Sequence, residues 1–189
     1  DQAVTLYQRG DFHNAAAAFT GLLQQAPRFA PAHNGLGLCF HATGNTHKAL
    51  ERFEAAAQCD RFFAPAHINR GMALRDLGRL QDALARLEKA VALDPHNANA
   101  HGNRGMMLTE LQQPAAANAC FDRCLQINPD YPDAPGIRLL NKIYMCDWAN
   151  LAQEVEDLLA RLERGQRAAP PWALLAFTDS LELKLKVAR

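Results

Sequence analysis

Compared with itself at an offset of 34 residues, this 189-residue chain repeats. Gly37, Gly71 and Gly105 fall in one column. Ala15, Ala49, Ala83 and Ala117 fall in another, each followed four residues later by Phe19, Phe53, Leu87 and Phe121. Pro27, Pro95 and Pro129 close the units, with Arg61 where the second proline would stand. A unit of that length cannot bury its apolar face alone, so it gains stability by stacking on its neighbours. The small columns mark where two helices must approach closely, toward the lower end of the ~8–10 Å range of helix packing. Leu6, Phe40, Leu74 and Leu108 on the first helix of each unit fill the space between.

A 34-residue period carrying a glycine, then Ala-x-x-x-Phe or Leu, then a proline, is similar to the tetratricopeptide repeat, a helix–turn–helix unit. The resemblance covers about residues 1–130 and implies an all-α fold, a right-handed superhelix (an α-α solenoid) with additional C-terminal helices. Four repeats are expected there, the first truncated. Their helices are expected over 1–9 and 13–25, 31–43 and 46–59, 65–77 and 80–93, and 99–111 and 114–127. Gly10, Gly44 and Gly78 end first helices in the left-handed conformation that glycine adopts at no steric cost. Gln112 holds that slot in the fourth repeat, at roughly 1 kcal/mol of strain. Pro114 follows at a helix start, where its missing N–H costs nothing.

After Pro129 the pattern degrades, and residues 131–189 read as a degenerate repeat plus a helical junction toward a missing downstream domain. Ile137–Met145 is an apolar helix without the small residue of its column. Asp147 is placed to cap the next helix, Leu151–Arg164, whose Leu151, Val155, Leu158, Leu159 and Leu162 form one stripe. Pro170-Pro171-Trp172 opens another short helix, and Trp148 and Trp172 are expected to pack as anchors of the joint. Asp179-x-x-Glu182 has capping-box spacing for a last helix. Leu181–Val187 also alternates like a strand, although its Leu, Glu, Lys and Ala content favours a helix. The opening at Asp1 inside an expected helix and the close at Arg189 without a stop signal suggest a fragment of a longer protein.

Twenty Lys and Arg balance twenty Asp and Glu, which leaves no electrostatic footprint for nucleic acid or an acidic membrane. No run approaches the ~18 apolar residues of a membrane span, and no signal-peptide pattern stands before the first repeat. Five cysteines at irregular spacings suggest reduced thiols in a cytoplasmic protein rather than a disulfide framework. His33, His67 and His101 recur at intervals of 34, but successive repeats stand ~10 Å apart and zinc needs nitrogens at ~2 Å. They are expected to pack in the aromatic slot of the repeat, not to hold a metal. Cys120 and Cys124, four apart on one helix, lack a second ligand pair, and Cys124 takes the small core slot of Ala56 and Ala90. No phosphate-cradling loop, HExxH or GxSxG sequence is present, so no catalytic residue and no cofactor is expected in this chain.

In the repeat family, first helices line a concave groove. That resemblance places Asn69 and Asn103 in it at equivalent positions, with Asn34 one step off the column, which Gly35 occupies. An amide offers donor and acceptor at once and can pair with the backbone of an extended peptide of any sequence. Leu38, His41, Met72, Arg75, Asp76, Met106, Thr109 and Glu110 share the face. Two readings stay open: the amides hold a peptide, or they bridge adjacent repeats and face water.

A second resemblance concerns residues 137–189. Leu139 to Trp148, with its Cys146-Asp147-Trp148 triplet, then Pro170-Pro171-Trp172-Ala173-Leu174-Leu175 and Asp179-Ser180, resembles the post-repeat junction of bacterial Spindly-type O-linked N-acetylglucosamine transferase-like proteins. It implies a non-catalytic, substrate-recruiting arm of a protein glycosyltransferase, whose catalytic residues would lie outside this chain. The alternatives are a stand-alone scaffold or co-chaperone, and an assembly module that dimerises through its convex face or exposed repeat ends. A clamp for a terminal carboxylate needs converging cations, and only Arg75 is offered. The expected partner is a protein or extended peptide.

Overall fold

The computed structural model describes residues 2–177. Over them the 34-residue columns become helix pairs, and no strand occurs among the described residues. Two compact units are formed, Asp1–Pro95 and His96–Arg189. The first holds α1 (Gln2–Gln8), α2 (Phe12–Gln25), α3 (Ala30–Ala42), α4 (Thr46–Cys59), α5 (Ala64–Asp76) and α6 (Leu80–Leu93). The second holds α7 (Ala98–Glu110), α8 (Pro114–Ile127), α9 (Ala134–Tyr144), α10 (Leu151–Glu163) and a 3-10 turn, Ala173–Ala176. Each helix of the four repeats begins and ends within one or two residues of the sequence expectation.

The glycine column explains the packing inside each pair. A Cβ on Gly37 would lie 2.5 Å from Phe53 Cε1, and one on Gly71 would lie 2.9 Å from Leu87 Cγ. On Gly105 it would lie 2.9 Å from Phe121 Cε1. Real Cβ atoms do not sit so close, so glycine is required where the large side chain of the second helix rests on the backbone of the first. Ala15, Ala49, Ala83 and Ala117 are fully buried beside these contacts, and Phe53, Leu87 and Phe121 are nearly so.

One turn closes every first helix. In repeat two, Gly44 N–H donates to the His41 carbonyl at 3.0 Å and Asn45 N–H to that of Phe40 at 2.8 Å. This is the paired 5→2 and 6→1 closure that satisfies the last carbonyls of a helix. It needs a left-handed residue, and Gly44 has φ 78. The same pair of bonds closes α7 from Gln112 and Gln113 N–H, with Gln112 at φ 59, and α9 from Cys146 and Asp147 N–H, with Cys146 at φ 55, a position the sequence did not flag.

Unit two ends differently from the sequence expectation. Helix α10 is preceded by Asn150 at φ 55, whereas Asp147 Oδ1 accepts from Ala149 N–H at 3.1 Å and shapes the turn rather than the helix. Trp148 and Trp172 are not packing anchors: they are 62% and 56% exposed. The joint is too tight for indole. Ala168 and Ala169 occupy it, and a Cβ on Gly136 would lie 2.3 Å from that of Ala169. The carbonyls of Arg167 and Ala168 accept from Asp133 and Gly136 N–H at 2.9 and 2.8 Å, satisfying donors at the start of α9. Around them Leu139, Leu158, Leu162 and Leu174 form one core, with Leu139 in the column that held glycine. Pro170-Pro171-Trp172 leads into the 3-10 turn, not an α-helix. Asp179, Glu182 and Leu181–Val187 lie outside the described residues.

A buried cation ties α9 to α10. Lys142 is 7% exposed, and its Nζ donates to the Ala149 carbonyl at 2.6 Å and to Glu154 Oε1 at 2.7 Å. Arg138 Nη1 donates to the other oxygen of Glu154 at 2.7 Å, and Arg138 Nε to Asp122 at 2.5 Å. Burial works against a charge on Glu154, yet the hydrogen bonds from Lys142 and Arg138 outweigh it and hold the carboxyl below its ordinary range.

Two outcomes test these packing arguments. Gln112→Gly relieves left-handed strain and is expected to stabilise the protein by about 1 kcal/mol in urea denaturation; a loss of stability would contradict it. Glu154, with its depressed folded pKa, contributes stability that is present above the ordinary Glu pKa and lost as pH falls through the folded value. Glu154→Gln is therefore expected to cost about 2 kcal/mol at neutral pH, less than a fully buried pair because Glu154 keeps some solvent contact. It should also flatten the loss of thermal stability on acidification; an unchanged acid limb would remove Glu154 from that role.

Candidate functional site

Spacings of i, i+4, i+7 and of i, i+3, i+7 each keep to one helical face, setting Asn34, Leu38 and His41 in a stripe along α3 and Asn69, Met72 and Asp76 in a stripe along α5. Within unit one these stripes meet. Asn69 Nδ2 donates to Asn34 Oδ1 at 2.9 Å. Two turns further on, His41 Nε2 and Asp76 Oδ2 are 2.6 Å apart. The amide one step off its column is thus the one that completes the rung. Gly35 has no room for a side chain, since a Cβ there would lie 2.3 Å from Phe19 Cζ. After the shared hydrogen bond, Asn34 still carries two amide N–H groups, and Asn69 a carbonyl oxygen and one N–H. A donor and an acceptor therefore remain side by side for a third group.

Arg75, beside Asp76 on α5, is half-buried, as is Met72. At one end of the stripe, Asn34 and Leu38 also form part of the wall of a pocket of about 330 Å³ closed by Val4, Tyr7, Leu22 and Phe29. No charged side chain lines it.

The remaining candidates belong to unit two. Asn103 is buried on α7, Met106 is half-buried and Glu110 is exposed. Thr109 Oγ donates to the Gly105 carbonyl at 3.1 Å and accepts from Asn141 Nδ2 at 3.0 Å. Asn141 also donates to Asn118 Oδ1 at 3.1 Å while its own Oδ1 has no partner, although the residue is 1% exposed. Sequence reasoning missed both asparagines. The signal was available, because Asn118 stands where other repeats place Leu50 and Leu84, and Asn141 where they place Ala73 and Met107. A cavity of about 220 Å³ between α8, α9 and α10 is walled by Arg138, Glu154 and Arg161. Those charges are already paired, Arg161 with the Pro129 carbonyl at 3.0 Å.

The histidine column packs as the period implies. His33 Nε2 lies 2.9 Å from the Pro27 carbonyl and His67 Nε2 3.2 Å from that of Arg61. A carbonyl only accepts, which assigns the proton to Nε2 in both rings. Burial lowers the pKa of His67, favouring the neutral ring. Burial also pushes the Cys124 thiol up to about 11, so it is a poor nucleophile at neutral pH. Among the described residues, no group of three or more His, Cys, Asp or Glu is placed to hold a metal ion. No helix among them is long and apolar enough to cross a membrane.

Two family models described as tetratricopeptide repeat match this chain, one over residues 28–94 and one over residues 68–132. Solved structures with the same fold include pilF of Pseudomonas aeruginosa, at 22% identity and TM-score 0.82 over 99% of this chain and 84% of that one. A crystal structure of MamA matches at 21% identity and TM-score 0.75, over 87% of this chain and 96% of that one. The first such repeat domain of Spaghetti (RPAP3), solved with the HSP90 peptide SRMEEVD, matches at 20% identity and TM-score 0.61, over 62% of this chain and 94% of that one. At these identities the likeness is one of fold. No curated protein sequence matches.

Proposed function

We propose that this chain, which belongs to the tetratricopeptide-repeat family over residues 28–132, is a protein-interaction module that holds an extended peptide against the first helices of its repeats. The observation that carries the reading is the Asn34–Asn69 rung, whose amides keep a donor and an acceptor side by side after pairing with each other. An extended backbone presents the complementary acceptor and donor regardless of its sequence. In unit two Asn103 is the equivalent amide on α7, and Met72 on α5 and Met106 and Thr109 on α7 are assigned to peptide contact within their own units. Asp76, exposed on α5, biases the module toward peptides with Lys or Arg. The peptide in the RPAP3 structure is acidic; the carboxylate here favours the opposite sign.

The finer reading makes residues 1–130 the recruiting arm and 131–189 the junction of a protein O-GlcNAc transferase-like glycosyltransferase. It is supported by the order of Cys146-Asp147-Trp148, Pro170-Pro171-Trp172 and Asp179-Ser180 in the sequence. The module would raise the local concentration of an acceptor Ser or Thr near a catalytic cleft.

Asn69→Ala combined with Asn103→Ala is expected to weaken a bound partner peptide by roughly 0.5–1.5 kcal/mol per lost hydrogen bond. Isothermal titration checks it, and unchanged affinity would remove the asparagines from binding. The preference for basic peptides should fade with added salt. For the finer reading, the full gene product is expected to transfer sugar from a nucleotide donor to protein, and this chain alone is not; a gene product inert in that assay would leave only the interaction module.

A further inference from the structure

We infer that the peptide this module takes carries a bulky apolar side chain three residues from a lysine or arginine, the apolar group filling the 330 Å³ pocket of unit one and the cation reaching Asp76. The inference rests on the peptide-binding reading above and adds which peptides satisfy it.

Four observations converge. Of the four exposed large apolar side chains described in unit one, Val4, Leu22, Phe29 and Phe62, three line this pocket. Its walls hold no charged side chain, so an occupant with a charge would lose hydration without a partner. Its volume of about 330 Å³ is at the lower end of the ~300–1,000 Å³ of ligand sites, suited to one aromatic or branched aliphatic side chain rather than a cofactor. The pocket is also continuous with the polar rung, because Asn34 is at once a wall of the cavity and half of the amide pair. A side chain seated there places its own backbone at those amides.

The spacing follows from helix geometry. Asn34 and His41 are seven residues apart on α3, about 10 Å along the axis. His41 marks the position of Asp76, which it meets at 2.6 Å. An extended peptide advances ~3.3 Å per residue, so about three residues separate the anchor from the group that meets Asp76. The Asp76 side chain is 40% exposed, so a ligand can reach it beside His41. Arg75, the neighbouring cation, lies one position back on α5 and so about 100° around the helix.

Display selection of random linear peptides on the full chain tests this, followed by fluorescence anisotropy with the selected peptides. The selected set is expected to share Phe, Leu, Trp or Met with Lys or Arg three positions away. Replacing the apolar residue by Ala should weaken binding about tenfold or more. Val4→Glu, a surface substitution at the pocket mouth, should do the same. Asp76→Asn should abolish the preference for the basic residue while keeping the apolar one. Selected peptides without an apolar anchor, or indifferent to Val4→Glu, overturn this inference while leaving the groove reading intact. Failure to select any peptide overturns both. A wild-type chain that sediments as a dimer and returns to monomer with Val4→Glu would assign the pocket to a second copy and overturn the peptide anchor.

Discussion

Where the glycine of one helix meets the Phe or Leu of the next, the two backbones come close enough that no Cβ fits between them. That contact recurs at Gly37, Gly71 and Gly105, with a buried alanine beside each. It sets the distance within a helix pair, and the left-handed turn that follows each first helix sets the reversal. With those two features fixed, neighbouring first helices of unit one meet through polar side chains, Asn34 with Asn69 and His41 with Asp76.

The helices were legible in the sequence because their constraints are periodic. A column repeated four times reports a steric requirement directly, and the helix bounds followed to within one or two residues over the repeats. The left-handed Gln112 was legible for the same reason, since it interrupts a column of glycines. After Pro129 the columns lose their small residues, as Leu139 in the glycine column shows, and the period no longer fixes the packing. There Trp148 and Trp172 looked like anchors because large aromatics usually bury, yet Gly136, Ala168 and Ala169 close the joint with small side chains. Asp147 looked like a helix cap by residue type, but a three-residue turn intervenes before α10 begins.

The sequence marked Asn34 and Asn69 as candidates but did not show their pairing. Asn34 seemed a break in the asparagine series, because it lies one position before its column. Adjacent first helices of unit one meet at an offset of 35 rather than 34, as Asn34 with Asn69 and His41 with Asp76 both show. A column at the repeat period aligns equivalent positions; a contact between neighbours joins positions shifted by the angle at which the helices cross. The amides do bridge adjacent repeats, and that bridge uses only part of their hydrogen-bonding capacity.

The buried Asn118 and Asn141, with half-buried Thr109, bear on a different problem, that of telling one repeat from another. An array of near-identical units invites a helix to dock one place too early, since the apolar columns would accept it almost equally well. Shifted by one repeat, Asn141 would face Leu84 and Arg75 in place of Asn118 and Thr109, and its amide donors would be buried without the oxygens that now receive them. The asparagine pair therefore distinguishes the docking of α9 from that of the first helices before it.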